Sequence, residues 1–177
     1  MITEIRKTAY ADIPAVMTLF DKARRTMATL GIDQWQDGYP FESDIRTDVS
    51  RGESYVVLRD GRIAATFMCM TRPDPTYRKI NGAWRSAKPY ATVHRITVSP
   101  DARQSAHSAD GGKSISAEIM DFVKAKAARE SLTGGIRIDT HSGNIPMRKM
   151  LEKQGFFCCG VIWLESGAER VAYQFLP

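Results

Sequence analysis

The sequence predicts a single α/β domain over residues 1–177, with a mixed β-sheet and helices on both faces. Three observations lead to this prediction. A chain of 177 residues has the length that suits one hydrophobic core. Segments with strand periodicity alternate with segments of helical periodicity, as in layered α/β folds. The composition, with 43% hydrophobic and 25% charged residues, is that of a soluble globular protein and excludes wholesale disorder.

The N-terminal part of the chain predicts one strand and two helices. Residues 2–7 alternate apolar and polar side chains, which favours a short strand. Apolar residues then recur at helical spacing from Asp12, a plausible N-cap, to Gly31. The following stretch to residue 40 is polar and punctuated by glycine and proline, which indicates a loop. A short helix is expected over 42–49.

The middle of the chain predicts a hairpin and a third strand of the same sheet. Residues 55–58 and 63–70 are apolar and flank Asp60-Gly61, a pair typical of tight hairpin turns. Residues 72–89 contain three prolines and one glycine, so we expect a loop there. A strand follows at 90–98.

The C-terminal half continues the alternation. Its expected elements are an exposed polar loop at 101–110, a helix at 115–129, a strand at 135–139, a helix at 144–154 with Gly155 after its end, and a terminal hairpin of 156–164 with 171–175.

The charge distribution argues against a nucleic-acid partner. The chain has 25 basic and 20 acidic residues, a formal charge of +5. Nucleic-acid-binding proteins usually show a basic run or stripe, whereas these basic residues are scattered among acids. A small anionic ligand explains the excess at least as well.

The cysteines and hydropathy predict a cytoplasmic protein without a membrane partner. Three cysteines, two of them adjacent at Cys158 and Cys159, do not form a disulfide framework. No segment approaches the ~18 consecutive apolar residues of a membrane span, and the N-terminus lacks a signal-peptide pattern. No metal is expected, because neither C-x-x-C nor H-E-x-x-H occurs.

Two segments carry most of the functional signal. The first runs from the strand at 90–98 through a glycine-containing loop into the helix at 115–129. A helix N-terminus can bind phosphate, although the same pattern also fits a plain β–α connection. A P-loop is rejected, because the glycine it requires five residues before Gly112 is His107. The second segment begins at Asn144 and by itself indicates a capped core helix.

Together with the element order, these segments resemble the GNAT superfamily of acetyl-CoA-dependent N-acetyltransferases over nearly the whole chain. The resemblance implies that acetyl-CoA is the cosubstrate and that no metal takes part. It also implies that the strand backbone at Arg95, Ile96, Thr97 and Val98 bonds the pantetheine, and that Asn144 lies beside the cofactor.

The family's pyrophosphate turn has no clean match in this sequence. Aligned from the helix side, the turn takes in Gly111, Gly112, Lys113, Ser114 and Ser116. Aligned from the strand side, Arg103 takes the basic position and an insertion of about eight residues follows. Serine N–H groups can still donate, but a Cβ hinders the close approach that glycine allows. Leu151 is a second departure, since many members have a tyrosine there as general acid.

The candidate catalytic residues are His94, Asp139 and His141. Acetyl transfer to an amine needs a neutral amine, so a general base is required. His94 directly precedes the implied pantetheine strand and has a suitable intrinsic pKa. Asp139 and His141 end the neighbouring strand, where ligands gather in α/β sheets. All three residues could instead be structural, through hydrogen bonding, helix capping or loop packing.

The loop after the first helix is the candidate acceptor site. Gln34, Trp35 and Tyr39, with Asp33 and Gln36 beside them, combine aromatic walls with polar groups, which suits a small polar amine. Trp35 and Tyr39 could alternatively cover the edge of the core.

We therefore expect an N-acetyltransferase that moves an acetyl group from acetyl-CoA to a primary amine of a small molecule or peptide. Direct attack in a ternary complex is the expected mechanism. The alternative is a non-catalytic module of the same fold that senses a ligand or binds a partner. The terminal hairpin could pair across subunits to form a homodimer, but the sequence does not determine the oligomeric state.

Overall fold

The computed structural model describes residues 3–102 and 113–177. In these ranges the strands are β1 (Thr3–Lys7), β2 (Ser54–Arg59), β3 (Arg62–Met70), β4 (Ile80–Gly82), β5 (Ala91–Val98), β6 (Ile136–Thr140), β7 (Phe157–Trp163) and β8 (Glu169–Phe175). The longer α-helices are α1 (Ile13–Thr29), α2 (Glu42–Ser50), α3 (Ile115–Arg129) and α4 (Ile145–Lys153). Residues 100–102 are also helical, whereas the sequence predicted that 101 and 102 begin a loop.

The strands form one sheet in the order β1-β2-β3-β5-β6-β8-β7-β4. The pairs β1–β2, β2–β3, β6–β8, β7–β8 and β4–β7 are antiparallel, whereas β5 and β6 are parallel. A mixed sheet combined with helices confirms the predicted fold class.

Packing divides the chain into two compact units. The first unit comprises Met1–Cys69 and Arg95–Ile119, and the second comprises Met70–His94 and Met120–Pro177. Strands β3 and β5 and helix α3 each contribute residues to both units. A single domain over the whole chain stays a prediction.

The first unit is built around the apolar face of α1. Ile13, Val16 and Phe20 of this helix pack with Ile45 of α2 and Val56 of β2, and all five are at most 2% exposed. Burying one such side chain stabilises the fold by about 1.5–3 kcal/mol. The helical spacing of apolar residues in the sequence correctly indicated that Ile13, Val16 and Phe20 form the buried face of α1.

The N-terminus of α1 differs from the prediction. The Asp12 side chain makes no capping hydrogen bond to α1. Its carboxylate accepts instead from the Arg6 guanidinium at 2.6 Å and from the backbone N–H of Ala9 at 2.8 Å. The Arg6 guanidinium and the Ala9 N–H thus take the place of the first N–H groups of α1 as donors to the Asp12 carboxylate. Asp12 therefore connects the end of β1 to the turn before α1.

The β2–β3 hairpin is confirmed in both position and turn. Asp60 and Gly61 have φ angles of +49° and +76°. A two-residue turn with both central φ angles positive matches the right-handed twist of the strands.

The segment predicted as a loop at 72–89 contains regular structure in the second unit. It holds a 3-10 turn at Pro75–Arg78 and strand β4, which pairs with β7. Gly82 lies opposite Gly160, and a Cβ on Gly82 would lie 2.2 Å from the Cys159 carbonyl oxygen. Because the pairing depends on this close backbone approach, it leaves no strand-like hydrophobic pattern in the sequence.

The terminal hairpin lies inside the sheet for most of its length. Strand β8 lies between β6 and β7, and β7 lies between β8 and β4. Strand β8 therefore has a neighbour on each side, whereas β4 covers only Gly160–Ile162 of β7. Pairing of subunits through this hairpin, and a homodimer, stay predictions.

The last two helices each begin at a side-chain cap, of which the one at Asn144 was predicted from the sequence. Ser114 Oγ accepts the backbone N–H of Ala117 at 3.3 Å, before α3, and Asn144 Oδ1 accepts the N–H of Met147 at 3.3 Å, before α4. Gly155 has a φ of +84° directly after α4, the left-handed conformation that ends many helices. Within the described ranges, no helix is both long enough and apolar enough to cross a membrane.

Candidate active site

The polar centre of the second unit lies on one face of the β5–β6 pair. The parallel register places Thr92 opposite Arg137. Side chains two residues apart share a face of a strand. His94 and Asp139, each two residues further along, therefore lie on the same face and near each other.

His94 lies between two carboxylates. Its Nε2 is 2.6 Å from Asp74 Oδ2, and its Nδ1 is 3.5 Å from Asp139 Oδ1. The Tyr77 hydroxyl donates to Asp139 Oδ1 at 2.7 Å. The other oxygen of Asp74 accepts the Thr76 backbone N–H at 2.9 Å and the Thr76 hydroxyl at 2.5 Å. Every member of this cluster thus has a defined hydrogen-bond partner.

Burial and hydrogen bonding set the protonation of this cluster. Burial raises the pKa of Asp74, but hydrogen bonds from His94 and Thr76 outweigh it and lower that pKa to about 2. Burial together with the adjacent Asp139 raises the pKa of Tyr77 well above its ordinary value. At neutral pH the structure therefore holds an ionised Asp74 and a neutral Tyr77.

The imidazole is the accessible part of the cluster. The His94 side chain is 24% exposed, while each of the two carboxylate side chains is 9% exposed. A general base must come within hydrogen-bond reach of its substrate. His94 meets this requirement better than either carboxylate.

A stacked arginine holds the segment that carries Asp74. The Arg137 guanidinium lies 4.0 Å from the centre of the Trp84 ring and 3.8 Å from that of Tyr90, and it donates to the Ser86 carbonyl at 2.7 Å. Burial lowers the pKa of Arg137. The backbone N–H of Asp74 donates to the Tyr90 hydroxyl at 3.4 Å. The stack therefore contributes to the position of Asp74.

His141, the third candidate base, has a local structural contact. Its Nδ1 accepts the backbone N–H of Gly143 at 3.0 Å, in the turn before α4. This geometry corresponds to the loop-capping alternative considered for His141, and it leaves His94 as the candidate with carboxylates at both ring nitrogens.

In the first unit, Arg95 occupies an unusual backbone conformation within β5. Its φ is +58°, in a region that residues other than glycine seldom adopt and that often marks functional sites. The guanidinium donates to the Tyr39 hydroxyl at 2.7 Å and to Asp48 at 2.5 Å. Arg95 was predicted to act through its backbone, so this side-chain anchor is an additional finding.

The rest of the implied pantetheine strand is largely buried. Thr97 is 2% exposed and Val98 is 6% exposed, while Ile96 is half-buried. Within the described part of the chain, Thr97 Oγ1 is buried and has no hydrogen-bond partner.

The candidate acceptor loop is fastened from two elements of the first unit. Arg24 of α1 donates to the carbonyls of Gly38, Tyr39 and Pro40 at 3.1–3.3 Å, and Arg95 of β5 holds the Tyr39 hydroxyl. Burial raises the pKa of Tyr39. Gln34 Oε1 is buried without a hydrogen-bond partner in the described ranges.

Trp35, predicted in the same loop, packs on the core of the first unit. Its ring is 5.6 Å from that of Phe20 at an interplanar angle of 82°, an edge-to-face contact. This contact corresponds to the alternative in which Trp35 covers the edge of the core. Its backbone φ of +68° is again unusual for a residue with a side chain.

The predicted pyrophosphate residues are only partly described. Arg103, Gly111 and Gly112, with most of the loop at 101–110, lie outside the described residues. Ser114 caps α3, and Ser116 is half-buried in its first turn. The exposed Lys113 accepts Arg59 Nη2 through its carbonyl at 3.4 Å. Asn144, predicted beside the cofactor, caps α4.

Sequence reasoning missed Asp74, Tyr77 and Asp48. Asp74-Pro75-Thr76 is a turn signature that locates a cap, but it carries no information about a histidine twenty positions later. The alternation of apolar and charged side chains in residues 136–139 was a signal for Asp139, since it places Asp139 on the same face of its strand as Arg137. Among the described residues, no group of three or more His, Cys, Asp and Glu side chains is arranged to hold a metal ion.

Comparisons with known proteins identify the family. The acetyltransferase (GNAT) family model matches residues 14–156. A GNAT-family acetyltransferase structure from Streptococcus agalactiae shares 30% identity, with a TM-score of 0.81 over 99% of this chain and 95% of that one. No curated protein matches the sequence.

Two more distant structures share the fold. The ribosomal-protein-alanine N-acetyltransferase of Brucella melitensis has a TM-score of 0.65 at 15% identity, covering 98% of this chain and 99% of that one. Salmonella typhimurium yncA, with its cofactor acetyl-CoA, has a TM-score of 0.62 at 13% identity, covering 98% and 93%. The family model covers most of the chain, and the chain therefore belongs to the GNAT family of acetyltransferases.

Proposed function

We propose that this chain transfers the acetyl group of acetyl-CoA to a primary amine of a small molecule or peptide. The amine attacks directly while both substrates are bound. The observation that carries the proposal is the His94 imidazole, which is partly exposed and held by Asp74 at 2.6 Å. A histidine held in this way is suited to remove a proton from an ammonium group.

Features of the first unit support acetyl-CoA as the cosubstrate. The left-handed φ of Arg95 interrupts the regular strand geometry of β5, an irregularity that often accompanies ligand-binding sites. The orphaned Thr97 hydroxyl offers a further polar group. In the first turn of α3, Glu118 would repel a phosphate, but Arg59 pairs with it at 3.0 Å. The residues present therefore fit the cosubstrate.

The family resemblance assigns a role to each group. The backbone of 95–98 would hold the pantetheine, and the N-terminus of α3 with Lys113, Ser114 and Ser116 would hold phosphate. Acetyl-CoA supplies an activated acyl group as a thioester. Arg103, Gly111 and Gly112 stay in the proposal as further phosphate contacts, and Asn144 as a residue beside the cofactor.

Deprotonation of the acceptor is the demanding proton transfer. An alkyl ammonium has a pKa near that of lysine, ~10.4, whereas a thiol has a pKa of ~8.5. A thiolate leaving group thus needs little help, and the buried Leu151, which is 0% exposed, cannot supply any. Base catalysis is therefore required more than acid catalysis, and His94 is the proposed base.

Thiol release from acetyl-CoA tests the proposal. Small amines, amino acids and short peptides with a free N-terminus would be assayed as acceptors, with mass spectrometry of the product. His94→Ala should lower kcat about 10²-fold at pH 7, with partial recovery at higher pH where free amine is more abundant. Arg25→Ala, on the exposed side of α1, is the control. Full activity of His94→Ala from pH 6 to 9 would move the base to Asp139 or His141.

Ligand binding separates the enzyme from the alternative function. Acetyl-CoA should raise the thermal unfolding temperature, because a ligand that binds only the folded state stabilises it. Stabilisation by acetyl-CoA without turnover of any amine would favour the non-catalytic, ligand-sensing module. A protein indifferent to millimolar acetyl-CoA would contradict both.

A further inference from the structure

We propose that Asp74 is a positioning residue that keeps the proton of neutral His94 on Nε2, so that Nδ1 is the nitrogen that takes the proton of the acceptor. This inference rests on the proposed function and assigns a nitrogen and a new residue within it.

The Nε2 side is committed to a donor role. Asp74 Oδ1 is occupied by two donors from Thr76, and Asp74 Oδ2 faces Nε2 at 2.6 Å. Because the pKa of Asp74 is about 2, the carboxylate is ionised at neutral pH and can only accept hydrogen bonds. Nε2 must therefore carry a hydrogen.

Nδ1 is the ring nitrogen that makes no close hydrogen bond within the described part of the chain. With hydrogen on Nε2, neutral imidazole has its lone pair on Nδ1. The distance of 3.5 Å between Nδ1 and Asp139 Oδ1 exceeds the usual 2.7–3.2 Å of a hydrogen bond. Tyr77 already donates to that same Asp139 oxygen at 2.7 Å. An ammonium group here would meet two acceptors, the Nδ1 lone pair and the Asp139 carboxylate.

The proposed proton path balances. The acceptor ammonium gives one proton to Nδ1, which leaves a neutral amine and an imidazolium. The amine lone pair forms the N–C bond while the C–S electron pair leaves with sulfur. The acylated amine nitrogen then loses its second proton to solvent, and the thiolate takes up one proton from solvent. The imidazolium of His94 returns its proton to solvent. Among the described residues, the charged groups facing the ring are Asp74, before the 3-10 turn, and Asp139 of β6. Tyr77 is the neighbouring neutral ring, with its centroid 5.9 Å from that of His94.

Nitrogen NMR tests the tautomer without any need for activity. Long-range ¹⁵N–¹H spectra of the wild-type chain above pH 7 should show His94 protonated at Nε2, with its signals assigned by their loss in His94→Gln. Asp74→Asn should reduce the preference for this tautomer, because an amide can donate as well as accept. Wild-type spectra that show the hydrogen on Nδ1 would overturn the inference.

Kinetics provide the second readout. Asp74→Asn should lower kcat about 10²-fold and leave the KM for acetyl-CoA within about 2-fold, since Asp74 is placed to act on the imidazole. The acid limb of the kcat/KM profile should move to lower pH, because the anion that stabilises imidazolium is gone. Asp74→Glu should restore part of kcat, and Glu165→Gln, an exposed carboxylate-to-amide change, should alter nothing.

The two readouts separate the two possible failures. An unchanged pH profile and kcat in a folded Asp74→Asn would refute the positioning role even if the chain acetylates amines. The expected tautomer in a chain that acetylates no amine would instead refute the proposed function while supporting the control of His94 by Asp74.

Discussion

The buried carboxylate of Asp74 should make the stability of the protein depend on acidic pH. The pKa of Asp74 falls from its ordinary 3.8 to about 2 on folding. Each pKa unit corresponds to about 1.4 kcal/mol, so ionisation of Asp74 contributes about 2 kcal/mol to the free energy of unfolding. The side chain is 9% exposed, so solvent screening takes little from this figure.

The direction of the effect follows from the lowered pKa. Because the folded state binds this proton more weakly than the unfolded state, the contribution is complete well above pH 3.8 and is lost as the pH falls through about 2. About half of it should remain at pH 3. Asp74→Asn removes the titrating group, so its free energy of unfolding should lack this part of the acid dependence.

Urea unfolding of both proteins between pH 3 and pH 6 measures the effect. The difference in the free energy of unfolding between wild type and Asp74→Asn should narrow by about 1 kcal/mol from pH 6 to pH 3. Glu165→Gln, in an exposed turn, controls for the loss of a carboxylate as such. If the free energies of unfolding of wild type and Asp74→Asn changed in parallel with pH, the contacts of His94 and Thr76 would not stabilise the ionised carboxylate of Asp74.

Three further predictions concern the anchored loop, a close backbone approach and the missing tyrosine. Tyr39→Ala should raise the KM of the acceptor more than that of acetyl-CoA, because it removes the ring held by Arg95; equal effects in steady-state kinetics would place Tyr39 in the core. Gly135→Ala should lower the free energy of unfolding by more than about 2 kcal/mol, since its Cβ would lie 1.8 Å from a carbonyl oxygen. Gly167 has a similar positive φ but open space around its Cα, so Gly167→Ala should lower the free energy of unfolding by only about 1 kcal/mol. Equal urea midpoints for Gly135→Ala and Gly167→Ala would contradict the steric reasoning. Leu151→Tyr should leave kcat nearly unchanged, while overpacking of the core should lower the free energy of unfolding by about 1–3 kcal/mol. A large gain in kcat would show that acid catalysis limits the rate.

The sequence by itself determined the elements whose signals are local. Helix α1 was predicted because its apolar residues repeat at helical spacing, and the β2–β3 hairpin because Asp60-Gly61 adopts the turn that such strands need. The cap at Asn144 is likewise local, since its side chain accepts an N–H three residues later. The family resemblance also came from such segments, and the comparisons confirm the family.

Only the tertiary structure decided the partners of those segments. The pairing of β4 with β7 depends on Gly82 lying against Gly160, which are 78 positions apart, and no periodicity marks such a contact. The environment of His94 was hidden for the same reason. Asp74 reaches it from a turn twenty residues earlier and Asp139 from the neighbouring strand, so strand register and chain reversal decide which nitrogen of the imidazole faces which carboxylate. Local residue patterns fix where elements begin and end, whereas the protonation of a buried group depends on charges and donors that only folding brings together.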